Sequence, residues 1–143
     1  MAEPKWIIER LSKQHDRNGF DCGVPSLDEF LKTRATQFEK RDLGRTFVAV
    51  APHDPKNVLG YYTLASGAVS FDTIPTEEKT GLPSRMPIPV LHLGRLAVSK
   101  AAQGLGLGSF LLVDALRRGF IHGSSIAMRA VEVVAINENA RRF

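Results

Sequence analysis

The hydrophobic positions of this chain change their spacing several times, and each spacing predicts an element. Trp6-Ile7-Ile8 is a short apolar run that predicts a first strand. Apolar residues then repeat at helical spacing from Leu27 to Phe38, which predicts an amphipathic helix. Ser26-Leu27-Asp28-Glu29 matches a capping box at the start of this helix, and Leu43-Gly44 is expected to end it.

The middle of the chain predicts a hairpin followed by a long loop. Arg45–Ala51 and Val58–Val69 are β-rich runs, and the turn residues of Pro52–Asn57 separate them, so they are expected to pair antiparallel. The stretch 70–89 contains four prolines, which disfavour a regular element there. It is therefore expected to be a loop, and it is long enough to have a function.

The second half predicts a strand, a helix and another strand. Leu93–Val98 reads as a short apolar strand, Gly106–Ile121 as a helix and Ala130–Ile136 as a further strand. This order implies a right-handed crossover and two parallel neighbours. The apolar face expected for the helix consists of Leu111, Leu112, Ala115, Leu116 and Phe120.

The end of the chain suggests a last helix that is cut short. Asn137 or Asn139 can cap such a helix, but only about one turn remains before Phe143. We therefore expect a single domain over residues 1–143 whose last helix and strand are incomplete.

Composition describes an ordinary globular domain rather than a fibrous or membrane protein. The 143 residues are 43% hydrophobic and 24% charged, and no apolar run approaches the length of a membrane span. The single cysteine, Cys22, cannot form an internal disulfide, which fits the cytoplasm. The histidines His15, His53, His92 and His122 show no metal-ligand spacing, so no metal is expected.

A glycine-rich turn between the strand and the helix is the clearest chemical signal. In Gln103-Gly104-Leu105-Gly106-Leu107-Gly108 three glycines precede a helix, whose first N–H groups and dipole favour an anion. The Walker pattern fails because no Lys-Ser/Thr pair follows the glycines, and the dinucleotide pattern fails because Ser109 replaces its third glycine. The pattern Gln/Arg-x-x-Gly-x-Gly/Ala fits, through Gln103, Gly106 and Gly108.

This last pattern resembles the pyrophosphate signature of the GNAT family of N-acetyltransferases. Further blocks resemble one branch of that family, the toxins that are paired with ribbon-helix-helix antitoxins. The blocks are Phe20-Asp21-Cys22-Gly23, Leu27-Asp28-x-x-Leu31, Arg45-Thr46-Phe47-Val48 and Leu93-Gly94-Arg95-Leu96-Ala97-Val98. The resemblance spans nearly the whole chain.

The resemblance implies an α/β (α+β) GNAT fold with acetyl-CoA as cosubstrate. That fold has a mixed, mostly antiparallel sheet flanked by helices, and its central parallel pair splays to admit acetyl-CoA. The expected cofactor-binding residues are Leu96, Ala97, Val98, Gln103, Gly104, Leu105, Gly106, Leu107, Gly108, Ser109 and Asn137. Backbone groups of the strand would pair with the pantetheine arm, and an N–H near Val98 would polarise the thioester carbonyl.

The resemblance also implies which proton-transfer group this chain lacks. The expected general acid is a tyrosine that would lie just after Phe143, so no catalytic residue is assigned within the chain. Cys22 has no required role, because direct transfer needs no covalent enzyme intermediate. Glu132 is considered as a general base, but a carboxylate in a strand is more often paired with another group or exposed to solvent. Of Tyr61 and Tyr62, one is expected to face the core and the other is weighed as a substrate contact.

Three functions stay open at this point. The resemblance favours a toxin that acetylates the α-amino group of aminoacyl-tRNA and blocks translation, with a homodimer as its assembly. The alternatives are an acetyltransferase for a small amine or a protein N-terminus, and a binding module without turnover. Basic residues considered for nucleic-acid contact are Lys32, Arg34, Lys40, Arg41, Arg45, Arg117, Arg118, Arg141 and Arg142, within a net charge of +4.

Overall fold

A mixed sheet forms the centre of the computed structural model, which describes residues 4–133. Its strands lie side by side in chain order: β1 (Ile7–Arg10), β2 (Arg45–Val50), β3 (Gly60–Val69), β4 (Ile88–Val98) and β5 (Ala130–Val133). The first four pair antiparallel, whereas β4 and β5 pair parallel. The predicted hairpin and the predicted parallel crossover are therefore both confirmed.

Helices cover both faces of the sheet, and each face has its own core. The helical segment from Pro25 to Lys40 covers one face, which we call the front face, and α3 (Leu107–His122) covers the other, the back face. Tyr61 and Tyr62 alternate along β3, so Tyr61 belongs to the front core and Tyr62 to the back core. Both rings are fully buried, so the expected core tyrosine is present on each face, and the substrate contact that was weighed as the alternative finds no exposed ring.

The first helical segment is interrupted by a π-helical stretch. It consists of α1 (Pro25–Glu29), a π-helical segment (Phe30–Arg34) and α2 (Ala35–Lys40). The predicted capping box is wrong, because the N-cap is Val24 and no side chain caps it. Asp28 accepts a hydrogen bond from the Cys22 N–H at 2.9 Å instead, which ties the preceding loop to the helix.

The end of this segment also differs from the prediction. The helix ends at Lys40, and the residue with a positive φ is Asp42 at 56°, not Gly44. An aspartate tolerates this left-handed conformation better than most residues. Leu43 then donates its N–H to the Phe38 carbonyl at 2.9 Å, so the chain leaves the helix before the predicted glycine.

β4 is longer than predicted, because pairing with β3 outweighs the local proline signal. The strand begins at Ile88 instead of Leu93, so the predicted loop over 70–89 ends earlier than expected. Pro89 lies near the start of the strand, opposite Ala68, where a missing N–H is tolerated. β3 in turn begins at Gly60 and not at Val58.

The buried face of α3 matches the predicted one in part, because Leu111 and Ala115 are buried as expected and Leu112 is half-buried. Its buried residues are Leu107, Leu111, Ala115 and Gly119. Leu116 and Phe120, which were expected to be buried, are 42% and 87% exposed. The helix lies close to the sheet at Gly119, where an added Cβ would lie 2.6 Å from Leu91 Cδ2, so the contact selects small residues. The predictions for Val134–Ile136, Asn137 and Asn139 fall outside the described residues.

Candidate active site

The predicted glycine turn lies between β4 and α3. Gly104 and Gly106 have φ values of 81° and 89°, a backbone conformation that glycine adopts without strain. A Cβ added at either residue would have no heavy atom within 4 Å, so the space in front of the loop is open. This open cradle in front of glycine backbone fits the phosphates of a coenzyme.

The start of α3 supplies the donors that such phosphates need. The Phe110 N–H donates to the Gly106 carbonyl at 3.1 Å, and N–H groups ahead of it in the first turn have no acceptor one turn back. Leu107 is buried and anchors the turn in the back core, whereas Leu105 is 52% exposed. Ser109 is exposed on the first turn, beside these N–H groups. The arrangement can hold an anion through backbone dipoles.

The Gln103 side chain holds the glycine turn in place. Its side-chain amide donates to the Val98 carbonyl at 2.9 Å and to the Cys22 carbonyl at 3.0 Å. It therefore joins the end of β4 to the loop before α1 and fixes the start of the glycine turn. The sequence pattern placed Gln103 in the site, and the structure assigns it a positioning contact.

We expect Gln103→Ala to weaken acetyl-CoA binding about tenfold. The substitution removes two hydrogen bonds, each of which contributes about 0.5–1.5 kcal/mol. Isothermal titration calorimetry with acetyl-CoA measures the change. Gln14→Ala, at an exposed position in the loop after β1, is the control and should bind like the parent. Equal affinity of Gln103→Ala and parent would contradict this positioning role.

β4 contains a β-bulge next to the residues predicted to hold the pantetheine arm. Thr63 pairs with Arg95 and Leu64 with Leu93, which leaves Gly94 without a partner on β3. β4 pairs with β5 from Val90 to Leu93, ahead of the bulge, and the described part of β5 ends at Val133. Bulges are frequent beside active sites because they redirect a strand.

Leu96, Ala97 and Val98 follow the bulge. They pair with Tyr62, Tyr61 and Gly60 of β3. Among residues 4–133, no strand pairs with their other edge. That edge leads directly to the glycine turn, so the strand and the turn form one continuous candidate donor site.

Sequence reasoning missed a pair of side chains at the bulge. His92 Nδ1 lies 2.7 Å from Glu132 Oε1, and the two residues face each other across the β4–β5 ladder. The prediction that Glu132 is a paired or solvated carboxylate is confirmed, and its partner is His92. Only the register of two strands 40 residues apart brings them together, so no local pattern could have revealed the pair.

Arg95 is a second residue that the motif reading left without a role. Its guanidinium lies 3.7 Å from the centre of the Phe30 ring and 5.6 Å from that of Phe38. Burial lowers the pKa of Arg95 from its ordinary value, but guanidinium titrates so far above neutrality that the charge persists. Arg95 therefore places a positive charge on the front face beside the bulge.

A cleft of about 580 Å³ opens on the same side of the sheet. It lies between the 70–87 loop and the adjoining parts of β3, β4 and β5. Val69, Ile88 and Val90 give it an apolar floor, and Glu132 lines it. Arg129 and Glu78 also line it, with a separation of 3.8 Å between Nη2 and Oε2. The cleft thus reaches the histidine–glutamate pair from the end opposite the glycine turn.

Cys22 is an inert thiol. Burial and the neighbouring Asp28 raise the pKa of Cys22 to about 11. Because the raised pKa keeps the thiol protonated near neutral pH, little thiolate is available as a nucleophile. The expectation that Cys22 has no catalytic role agrees with this environment.

We expect Cys22 to react slowly with iodoacetamide at pH 8, with a rate that still increases above pH 10. At pH 8 a pKa of about 11 leaves roughly a thousandth of the thiol ionised. Mass spectrometry of the folded protein over time measures this rate, and the denatured protein is the control. A rate that levels off near pH 9 would contradict the assignment.

Some of the basic residues considered for nucleic-acid contact already have partners. Arg45 bonds to Glu39 and Asp42, and Arg118 bonds to Asp114 and to the Tyr62 hydroxyl. Lys32, Arg34, Lys40, Arg41 and Arg117 are exposed, and Arg141 and Arg142 lie outside the described residues.

Within residues 4–133, no group of three metal-ligating side chains occurs and no helix is long and apolar enough to cross a membrane.

Comparison with known proteins places the chain in a family. Residues 14–143 match the model of the Acetyltransferase (GNAT) family. The chain belongs to the GNAT acetyltransferase family, and the predicted fold and enzyme class are confirmed. It is also 40% identical over 134 residues to the tRNA-acetylating toxin of Mycobacterium tuberculosis (strain ATCC 25618 / H37Rv), across 94% of this chain and 78% of that protein.

Two solved toxins have closely similar structures. A tyrosine-to-phenylalanine mutant of KacT superposes with a TM-score of 0.91 at 29% identity, over 98% of this chain and 84% of KacT. AtaT complexed with acetyl-methionyl-tRNAfMet gives 0.88 at 28% identity, over 96% of this chain and 82% of AtaT. AtaT bound to the C-terminus of the antitoxin AtaR and acetyl-CoA gives 0.79 at 29% identity, over 98% and 81%.

Proposed function

We propose that this protein transfers the acetyl group of acetyl-CoA to the α-amino group of aminoacyl-tRNA and thereby blocks translation. The observation that carries the proposal is the similarity to AtaT in its complex with acetyl-methionyl-tRNAfMet, over 96% of this chain. The 40% identity to a tRNA-acetylating toxin supports the same substrate class. We place the reaction in the cytoplasm, where aminoacyl-tRNA occurs.

The donor occupies the edge of β4 and the glycine turn in this proposal. The backbone of Leu96–Val98 pairs with the pantetheine arm, and backbone N–H groups between Gly104 and Ser109 hold the phosphates. The open space in front of Gly104 and Gly106 supports this assignment, as do the acetyl-CoA complexes of AtaT. Asn137 keeps its predicted role as a further contact.

The acceptor enters from the cleft at the other end of β4. Its apolar floor suits an amino-acid side chain, and Arg129 at its edge offers a positive charge for a phosphate of the RNA. Exposed Lys32, Arg34, Lys40, Arg41 and Arg117 offer further phosphate contacts. Donor and acceptor then meet at the Gly94 bulge.

The reaction is a direct displacement at a thioester. When bound, acetyl-CoA supplies an acetyl group activated for attack. A bond forms between the amine nitrogen and the acetyl carbon while the carbon–sulfur bond breaks, so the amine loses a proton and the thiolate gains one. A backbone N–H on the free edge of β4 next to the bulge would stabilise negative charge on the carbonyl oxygen, in place of the N–H near Val98, which lies four residues from Gly94. The proposed general acid is the tyrosine expected just after Phe143.

Labelled acetyl transfer tests the function. Incubation with [14C]acetyl-CoA should label aminoacyl-tRNA and leave uncharged tRNA unlabelled. Transfer should fall steeply with salt, because phosphate contacts release counterions. A protein that labels small amines or peptide N-termini, and ignores aminoacyl-tRNA, would contradict the proposal. The assay should include a form extended through the tyrosine, since equal rates of both forms would exclude that tyrosine as the acid.

We propose a ribbon-helix-helix antitoxin and a homodimer as the assembly of this toxin. The complexes of AtaT with AtaR support an antitoxin partner. Co-expression with the product of an adjacent small reading frame, followed by sedimentation analysis, tests both points. A monomer that the neighbouring protein does not bind would contradict them.

A further inference from the structure

We propose that His92 is the general base of this site and that Glu132 is its positioning residue. The inference rests on the proposed acetyl transfer and names the group that takes the proton from the attacking amine. The chemical class of its ligand is a primary amine, presented beside the Gly94 bulge.

The hydrogen bond between the two side chains fixes the chemistry of the imidazole. A carboxylate only accepts hydrogen bonds, so at 2.7 Å from Glu132 Oε1 the Nδ1 atom of His92 carries the proton. In the neutral ring Nε2 is then the atom with the free lone pair. A carboxylate that holds one ring nitrogen while the other accepts a proton is the arrangement that general bases use in many enzymes.

The lone pair lies where the substrates are expected to meet. An ideal Cβ on Gly94 would lie 3.2 Å from His92 Nε2 and 3.3 Å from Thr63 Oγ1, so the ring tip lies over the bulge. Glycine at this position therefore leaves the ring free to lie there. Among residues 4–133, no group forms a hydrogen bond with Nε2.

Both members of the pair are partly exposed to solvent, and Glu132 is reached from the cleft. The side chains of His92 and Glu132 are 34% and 39% exposed, and Glu132 lines the cleft. A buried histidine of this chain shows the contrast: the His15 side chain is 0% exposed and uses both ring nitrogens, one with Glu9 and one with the Ser12 N–H. The His92 pair is thus open to a ligand, whereas the His15 pair is closed.

The charged groups near His92 come from several elements. Glu132 on β5 faces the ring directly, Arg95 lies on the same face of β4, and Glu78 and Arg129 lie further along the cleft. In the step itself, Nε2 takes one proton from the α-ammonium group and leaves the nitrogen lone pair free for attack. The nitrogen loses a second proton as the amide forms, and this loss matches the proton that the departing thiolate gains. The ring then releases the proton on Nε2 to solvent through its exposed edge, so protons balance over a cycle.

Two variants and a matched control test the assignment in turnover. The variants are made in the form of the protein, extended through the tyrosine or not, that transfers acetyl groups to aminoacyl-tRNA. In that form, His92→Gln should lower kcat about 100-fold and leave the dissociation constant of acetyl-CoA within twofold of the parent value. Glu132→Gln should lower kcat by about tenfold, because the ring loses its orientation. His53→Gln changes an exposed histidine in the turn after β2 and should match the parent. Added imidazole should partly restore the kcat of His92→Ala.

A second measurement needs no turnover. The ring nitrogens of the ¹⁵N-labelled protein are observed by NMR with CoA and an aminoacyl-adenosine analogue in which an amide replaces the ester. The Nε2 signal of His92 should shift with this amine and stay in place with the analogue that has a hydroxyl group in place of the α-amine.

The two measurements separate the proposals. A kcat of His92→Gln within threefold of the parent, or an Nε2 signal that the amine does not shift, overturns the assignment of His92. A parent protein that transfers nothing to aminoacyl-tRNA overturns the proposed function, and the NMR result with the amine then still decides the role of His92.

Discussion

Replacing Gly106 by valine is expected to raise the dissociation constant of acetyl-CoA by about 100-fold or more. Gly106 has a φ of 89°, which costs a β-branched residue about 1–3 kcal/mol. The new side chain would also fill the open space in front of the loop, where the proposal places the phosphates. Losing two charge-assisted hydrogen bonds of about 1.5–3 kcal/mol each is sufficient for the expected change.

Gly81→Val separates ligand binding from backbone strain. Gly81 has a φ of 81° and, like Gly106, nothing within 4 Å of an added Cβ, but it lies in the 70–87 loop. The control should lose similar stability and keep its affinity in calorimetric titration with acetyl-CoA. If Gly81→Val and Gly106→Val weaken binding equally, the glycine turn is not the phosphate site.

Leu111→Ala is expected to lower the free energy of unfolding by about 3–5 kcal/mol. Leu111 is fully buried in the back core, between α3 and β3. Gly60 lies so close that an added Cβ there would lie 2.9 Å from Leu111 Cδ1, so the backbone is already in contact and has little freedom to fill the cavity. Truncation therefore loses both the transfer free energy of the side chain and the contacts around the cavity. Urea unfolding followed by circular dichroism measures the change.

Leu116→Ala is the matched control on the same helix. Leu116 is 42% exposed and should cost less than about 1 kcal/mol. The sequence prediction placed both leucines on one buried face, so the two variants also test which face of α3 the protein buries. Similar losses for both would contradict the observed packing.

Structural features that depend on residues close together in the sequence could be predicted. Features that depend on contacts between residues far apart in the sequence could not. The glycine turn, the hairpin and the parallel crossover follow from local patterns, and the structure has all three. The predicted face of α3 was right at Leu111 and Ala115 and wrong at Leu116 and Phe120, which are as apolar as Leu111, because only the sheet decides which side is covered. Gly119, which carries no hydrophobic signal, belongs to the observed contact and was absent from the predicted face.

The candidate site divides in the same way. Gln103, Gly104 and Gly106 belong to one short stretch of sequence, so their pattern can be recognised from the sequence alone. His92 and Glu132 are 40 residues apart, and their contact depends on the parallel register of β4 and β5. The two tyrosines give a similar example. Alternation along β3 predicts that Tyr61 and Tyr62 lie on opposite faces of the sheet, but it does not reveal that both faces are buried.

The bulge at Gly94 constrains how the length of β4 can change during evolution. Before it, the even-numbered residues Val90 and His92 face the front, and after it the odd-numbered Arg95 and Ala97 do. A strand alternates every two residues, so the extra glycine shifts the phase of one half of β4 against the other. Deletion of this one residue, which has no side chain, would rotate either the acceptor half or the donor half by 180°. The two halves are therefore constrained to evolve without one-residue insertions or deletions between them, however freely their side chains change.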